Sequence, residues 1–185
     1  MCSVVNILKA LDCAYAVTSN AAEVARAERL ILPGQGHFGQ VMNSLKEKNL
    51  DRTIIEAVNN GKPFLGICVG LQILFETSEE APGVSGLGLV EGKVVKFTKG
   101  KIPQIGWNQL KLKPNNTILS ADYYYFVNSY YVKPKNSNII SSTADYYGEF
   151  CASIEKDNLT AVQFHPEKSG ACGLETIKKW VNNDG

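Results

Sequence analysis

The sequence predicts an α/β fold in which a parallel, doubly wound sheet forms the core and antiparallel strands extend it. Up to about residue 80, short apolar runs alternate with helical patterns, which is typical of parallel strands joined by crossover helices. Beyond Ala81, glycines and prolines separate short apolar runs at the spacing of antiparallel hairpins. The 185 residues contain no repeat and no linker, so we expect one domain over residues 1–185.

The composition excludes several classes of protein. Hydrophobic residues make up 44% of the chain and charged residues 20%, so a substantial core is possible. A net charge of +1 argues against a nucleic-acid partner. No apolar run approaches the ~20 residues of a membrane span. Five widely spaced cysteines and the lack of a signal peptide predict reduced thiols in the cytoplasm, and two histidines without a Cys-x-x-Cys pair argue against structural zinc.

The elements follow in order along the chain. Apolar residues at helical spacing from Val4 to Leu11 predict an amphipathic helix over residues 2–11. The other predicted helices are 21–27, 41–48, 51–60, one starting at 71, and 173–181. The predicted strands are 14–18, 29–32, 63–67, 94–97, 107–112, 123–127, 130–132, 139–142, 151–154 and 160–164. The strand at 29–32 leads into a Gly-rich turn, where a backbone without side chains can approach a ligand closely.

The stretch around Cys68 predicts a nucleophile elbow. An apolar strand at 63–67 leads directly into Cys68, which is flanked by Gly66 and Gly70 and followed by the start of a helix. The tight turn requires small residues two before and two after the nucleophile. It also presents the thiol beside backbone N–H groups, which favour the reactive thiolate. A single cysteine is more often buried and inert, but the paired glycines and a late His-Pro-Glu favour a nucleophile.

A second strand end supplies the groups that such a thiol needs. The strand predicted at 160–164 leads into His165 and Glu167, which can serve as the base and its orienting carboxylate. The other histidine, His37, follows the Gly-rich turn at a predicted helix start, where the helix dipole disfavours an imidazolium ion. We therefore predict a triad of Cys68, His165 and Glu167, and a structural or peripheral role for His37.

Several stretches of the chain resemble one known family. They are residues 32–39 (LPGQGHFG), 66–72 (GICVGLQ), 75–80 (FETSEE), 102–108 (IPQIGWN), 125–130 (YFVNSY) and 163–169 (QFHPEKS). They resemble the class I glutamine amidotransferases, and more narrowly the branch of glutaminase subunits of imidazole glycerol phosphate synthase, in histidine biosynthesis. The resemblance covers the chain from about residue 30 to 170 in the family's order. It implies a three-layer, flavodoxin-like mixed sheet.

The resemblance also implies a reaction. Cys68 would attack the glutamine carboxamide to give a glutamyl thioester and ammonia, His165 would carry the proton, and Glu167 would orient His165. The oxyanion would be bound by the backbone N–H of Val69 and an N–H of the turn at Gln35 and Gly36. No metal or organic cofactor is implied.

The remaining implied roles concern substrate and partner. The residues implied to bind glutamine are Gln72, Glu80 and the backbone of Ser129 and Tyr130. The residues implied to face the partner are Pro103, Gln104, Gly106, Trp107, Asn108 and Tyr125. This partner would be a synthase (cyclase) subunit with a TIM-barrel fold, forming a heterodimer and receiving ammonia through its interior.

The chain departs from the family pattern at three places. The family's first β-strand has no counterpart, because the sequence begins within the following loop or helix. Omitting an interior strand would leave backbone groups unpaired, so we expect native residues before Met1, with another segment or a second chain as alternatives. In addition, Gln104 and Asn128 stand where histidine is common, near the expected ammonia exit.

Other functions remain open from the sequence alone. A related amidotransferase subunit could supply ammonia for nucleotide-sugar or surface-polysaccharide amination, and only the identity of its partner would distinguish it. A non-catalytic regulatory module of the same fold would not need an intact triad. A cysteine peptidase would leave Gln72 and the Gly-rich turn unexplained.

Overall fold

Parallel strands bring the predicted catalytic segments to one edge of a sheet. The computed structural model describes residues 2–182, and the side chains of residues 4–182. Strand β1 (Leu30–Gly34) pairs in parallel with β2 (Phe64–Cys68), whose other side pairs in parallel with the strand Leu159–Val162. In this register Gly34 lies opposite Cys68. The chain therefore leaves all three strands at the same edge.

The other strands in the described residues complete two sheets. They are β3 (Phe75–Ser78), β4 (Val90–Lys96), β5 (Gln104–Gln109), β6 (Lys111–Leu112), β7 (Tyr123–Asn128), β8 (Tyr130–Pro134), β9 (Ile140–Asp145), β10 (Glu149–Lys156) and β11 (Leu159–Val162). The larger sheet has the order β1-β2-β11-β10-β8-β4-β3, with β9 paired to β10 and β6 to β9. Pairing is antiparallel from β11 to β4, and β5 and β7 form a separate antiparallel ribbon. This mixed sheet confirms the predicted fold class.

Helices pack on these strands in two groups. The helices in the described residues are α1 (Cys2–Ala10), α2 (Ala21–Arg26), α3 (Phe38–Glu47), α4 (Leu50–Asn59), α5 (Val69–Gln72) and α6 (Gly170–Asn182). Helices α2 and α3 contact α4, whereas α1 and α6 contact the short 3-10 turn Pro166–Lys168. No helix within residues 2–182 is long and apolar enough to cross a membrane.

The predicted strand at 14–18 is not formed. Residues 13–20 have no regular structure, and most of their side chains are exposed. In the described residues β1 has β2 as its only neighbour, so no strand beside β1 offers hydrogen bonds to this segment. The physical reason for the error is that strand propensity does not supply a pairing partner.

Two further predictions require correction. The helix predicted to run from residue 71 through Phe75 ends at Gln72, and Phe75 begins β3, which pairs in parallel with β4. The single strand predicted at 107–112 is two strands, β5 and β6, which pair with β7 and β9 respectively. In both places a short stretch without clear periodicity continues across a change of pairing partner.

Aromatic packing holds the β5–β7 ribbon on the main sheet. The ring of Phe126, on β7, lies 5.7 Å from that of Phe150 on β10 and 5.6 Å from that of Phe164 just after β11. Phe126 and Phe164 are fully buried. Because Phe164 directly precedes His165, this cluster fixes the ribbon next to the predicted base.

Candidate active site

Cys68 ends strand β2 in a strained backbone conformation. Its φ and ψ angles are 56° and −108°, outside the regions that non-glycine residues ordinarily adopt. All residues of β2 are buried, and α5 begins at the next residue, Val69. The thiol therefore lies at the turn from strand to helix, as predicted for a nucleophile elbow.

The glycines around Cys68 permit this turn because backbone segments touch there. A Cβ atom on Gly66 would lie 2.6 Å from the carbonyl oxygen of Gly70. A Cβ atom on Gly70 would lie 2.1 Å from the carbonyl oxygen of Leu32, in β1. No larger residue fits at either position without moving the backbone, which confirms the predicted requirement for small residues.

His165 and Glu167 form a buried pair beside this thiol. His165 Nδ1 lies 2.7 Å from Glu167 Oε1, and the two side chains are 5% and 4% exposed. The backbone of His165 is also held in place. Its backbone N–H donates to the Tyr125 carbonyl at 2.9 Å, and its carbonyl accepts from the Ser169 hydroxyl at 2.7 Å. The Cys68 side chain lies close enough to the imidazole to raise its pKa. The structure thus brings the three predicted residues together.

The environment of His165 changes its protonation. Burial by itself lowers its pKa, but the hydrogen bonds and charges of Cys68 and Glu167 outweigh burial and raise the pKa from 6.5 to about 9. His165 is therefore an imidazolium ion at neutral pH. A pKa raised in the folded state means that this proton stabilises the fold fully below about pH 6.5, and that its contribution is lost as the pH rises through about 9.

We expect Cys68→Ala to lower the pKa of His165, because the contribution of the sulfur disappears while burial continues to oppose the charge. The measurement is an NMR titration of the imidazole resonances. The sequence has only two histidines, so the His37 resonance provides an internal reference that the substitution should leave unchanged. Identical His165 titration curves in the wild type and Cys68→Ala would contradict the contact between sulfur and imidazole.

Two buried amide side chains connect Cys68 to strand β8. Gln72 Nε2 donates to the Tyr130 carbonyl at 3.2 Å and to Gln163 Oε1 at 3.1 Å. Gln163 Nε2 lies 3.7 Å from Cys68 Sγ. Gln72 was among the predicted site residues, but Gln163 was not. Its signal in the sequence is a polar residue in an apolar run, two positions before His165.

The predicted oxyanion donors lie on adjacent segments. The turn at Gln35 and Gly36 directly follows β1, whose last residue pairs with Cys68. Gly36 has a φ angle of 112°, and a Cβ there would have nothing within 4 Å. Val69 opens helix α5, where a backbone N–H has no partner within the helix.

Glu80 and Ser129 make contacts that the sequence did not predict. The Glu80 carboxylate accepts from the Phe38 N–H at 2.7 Å, at the start of α3. His37 caps the same helix through its Nδ1, in agreement with its predicted structural role. The pKa of the Tyr130 phenol is raised by burial and then by the charges of Glu80 and Glu79, so these groups are neighbours. The Ser129 carbonyl accepts a backbone N–H at 3.0 Å.

The β5–β7 ribbon presents an apolar face next to the site. Along β5, Ile105 and Trp107 are 61% and 56% exposed, whereas Gln104 is 4% exposed. The Trp107 ring packs edge-on against the Tyr125 ring at 5.8 Å. Since side chains alternate along a strand, Gln104 points inward and away from the expected partner surface. Ile105, which was not predicted, points outward.

One backbone group of the ribbon lies near Cys68, and two buried polar side chains face inward. The carbonyl oxygen of Val127 lies 4.0 Å from Cys68 Sγ. Gln104 and Asn128 are opposite each other in the register, and each has a buried side-chain oxygen with no hydrogen-bond partner in the described part of the chain. Of the other predicted partner residues, Pro103 is exposed, Gly106 is half-buried, and Asn108 Nδ2 donates to the Asp145 carbonyl at 2.6 Å.

An elbow cysteine with a His–Glu pair at the edge of an α/β sheet defines an enzyme that acts through a cysteine nucleophile. A family model described as glutamine amidotransferase class-I matches residues 3–181. The chain belongs to the class I glutamine amidotransferase family. Among residues 2–182, no three His, Cys, Asp or Glu side chains are grouped to hold a metal ion.

Relatives within this family carry a more specific name. Imidazole glycerol phosphate synthase subunit HisH of Rhodopirellula baltica is 44% identical over 171 residues, covering 89% of this chain and 83% of that protein. The protein of the same name from Methanothermobacter thermautotrophicus is 43% identical over 183 residues, covering 97% of this chain and 91% of that protein. A crystal structure of a glutamine amidotransferase superimposes with a TM-score of 0.77 at 16% identity, covering 95% and 89% of the two chains, which supports the fold.

Proposed function

We propose that this chain is the glutamine-hydrolysing subunit of imidazole glycerol phosphate synthase, in histidine biosynthesis, and that it supplies ammonia to a synthase partner. The observation that carries the proposal is the Cys68 sulfur in contact with the buried His165–Glu167 pair. The names of the relatives favour this synthase over the sugar-amination alternative. We further propose that the protein acts in the cytoplasm.

In the proposed reaction, the Cys68 thiolate attacks the carboxamide carbon of glutamine. The tetrahedral intermediate collapses as the C–N bond breaks, and the His165 imidazolium gives its proton to the departing ammonia. Water, deprotonated by the now neutral His165, then hydrolyses the thioester and releases glutamate and the thiolate. Glu167 holds the imidazole in place throughout. Because the thiolate acts as the nucleophile and the imidazole transfers each proton, the reaction needs no metal or organic cofactor.

The oxyanion is proposed to be bound at the elbow. The proposed donors are the Val69 N–H and an N–H from the turn at Gln35 and Gly36, and each such donor is typically worth about 3 kcal/mol in acyl transfer. The substrate's α-amino and α-carboxylate groups are proposed to contact Gln72, Glu80 and the backbone of Ser129 and Tyr130. For Glu80, substrate binding would compete with its bond to the Phe38 N–H.

The partner is proposed to be a TIM-barrel cyclase that binds the apolar face of the ribbon to form a heterodimer. Exposed apolar side chains in a continuous patch favour a protein interface over solvent. The side-chain oxygens of Gln104 and Asn128, buried and without a hydrogen-bond partner in the described residues, lie on the opposite face of the ribbon. They are hydrogen-bond acceptors that suit ammonia as it moves from Cys68 toward the partner.

We expect glutamine hydrolysis to be slow in the isolated chain and at least about tenfold faster in the complex with ligand-loaded synthase. Gly36 has no side chain, and a Cβ there would have nothing within 4 Å, so its backbone conformation can change on partner binding and present an oxyanion donor. Glutaminase rates with and without the purified partner test this expectation. Equal rates would contradict it.

A pair of variants tests whether the partner binds the ribbon or another part of the surface. Ile105→Asp places a charge on the apolar face and should abolish the stimulation by the partner. Val17→Asp is the matched control, because Val17 is 66% exposed and Ile105 61%, but Val17 lies outside the ribbon. If both variants respond to the partner as the wild type does, the ribbon is not the interface.

A further inference from the structure

Gln163 joins the nucleophile to the amide side chain of Gln72. It follows β11 and is fully buried, and its backbone N–H is bonded to the Ala152 carbonyl of β10 at 2.8 Å. Its side-chain nitrogen faces Cys68 Sγ at 3.7 Å, and its side-chain oxygen accepts from Gln72 Nε2 at 3.1 Å. Both ends of one rigidly held amide are therefore occupied by predicted site residues.

The orientation of the two amides suits a thiolate. The NH₂ end of Gln163 faces Cys68, which is the orientation that a thiolate requires because it can only accept hydrogen bonds. The oxygen of Gln163 then faces Gln72, which must present its own NH₂ group to Gln163 and to the Tyr130 carbonyl. The Gln72 oxygen accepts no hydrogen bond within the described residues and is free for a donor on a ligand.

We infer that Gln163 is a positioning residue that stabilises the thiolate form of Cys68 and orients the Gln72 amide toward substrate. A hydrogen bond to the charged form of an acid favours that form. The titratable group in contact with Cys68 is His165, with Glu167 behind it. The contacts from β7 and from Gln163 are uncharged, so the effect of Gln163 adds to that of the imidazolium ion. The role in substrate orientation, but not that in thiolate stabilisation, rests on the proposed function.

The test of thiolate stabilisation is the pH dependence of Cys68 alkylation by iodoacetamide in the full chain, followed at the Cys68 peptide by mass spectrometry. Gln163→Leu removes the donor, and we expect the midpoint of the alkylation profile to rise by roughly one pH unit. Gln163→Glu replaces the donor with an acceptor and should also raise the midpoint. Midpoints of both variants equal to that of the wild type would overturn the inference.

A matched control distinguishes this effect from the general loss of a buried polar group. Thr176, on α6, is 1% exposed and bonds to Tyr124 and to the Cys172 carbonyl, away from the sulfur. Thr176→Val should leave the midpoint unchanged, and an equal rise in this variant would overturn the inference.

If the Gln163 variants do not fold, the side-chain NH₂ resonance of Gln163 in the wild type is measured instead. It should shift when Cys68 titrates, and its invariance would overturn the inference.

Glutamine kinetics in the complex separate the two roles of Gln163. Gln163→Glu keeps an acceptor for Gln72, so its KM for glutamine should stay near that of the wild type, whereas Gln163→Leu should raise KM severalfold. Equal KM values would overturn the orienting role. The alkylation assay contains no glutamine, so a negative result there leaves the proposed function intact. Absence of glutamine hydrolysis by the wild-type complex would overturn the proposed function alone.

Discussion

Replacing Cys68 with alanine is expected to abolish glutamine-dependent product formation by the synthase complex and to preserve formation from added ammonium salts. Without the thiolate no thioester forms, whereas free ammonia reaches the partner without passing through this step. The expected loss of glutaminase rate is at least about 10³-fold, in line with the removal of other nucleophiles. Product formation with each nitrogen source, measured on the same preparation of complex, tests this prediction.

A second cysteine provides the control. Cys151, on β10, is 5% exposed, and burial raises its pKa to about 12, so it is a neutral thiol at working pH. Cys151→Ala should lower stability slightly through the small cavity that it leaves, but both nitrogen sources should still support product formation. Substantial glutaminase activity in Cys68→Ala, with the partner present, would disprove the assignment of the nucleophile.

Gly70→Ala is expected to destabilise the fold and remove glutaminase activity together. The added methyl group would lie 2.1 Å from the Leu32 carbonyl oxygen, which is backbone and cannot rotate away. Overpacking against a rigid neighbour costs about 3 kcal/mol or more, which corresponds to a drop in Tm of roughly 6–12 °C for a domain of this size. Thermal unfolding followed by circular dichroism measures the change.

The control for this substitution is Gly61→Ala. Gly61 has a φ angle of 84°, so alanine there is strained, but a Cβ would have no atom within 4 Å. Its expected cost is about 1 kcal/mol, with full glutaminase activity in the complex. A Gly70→Ala protein that is as stable as Gly61→Ala would show that the elbow tolerates a side chain, and that close packing of β1 against it is not required.

Local patterns in the sequence predicted Cys68, His165 and Glu167, which the structure brings together. A tight turn between a buried strand and a helix predicted small residues at Gly66 and Gly70. The clash at Gly66 is with Gly70, a near neighbour, whereas the clash at Gly70 is with Leu32 of β1 and depends on the tertiary structure. The pairing of His165 with Glu167 is short-range, since only Pro166 lies between them. The alternation of apolar runs and helical patterns, which is also visible in short stretches of sequence, predicted the parallel core.

The tertiary structure alone decided the features that depend on partners distant in the sequence. Gln163 reaches Cys68, 95 residues away, only because β11 pairs with β2. Glu80 bonds Phe38, 42 residues away, and the inward direction of Gln104 follows from its pairing with β7. The segment at 14–18 stays irregular because no strand in residues 2–182 pairs with it. Hydrogen-bond partners and strand register are properties of the assembled sheet, and a single segment's composition does not encode them.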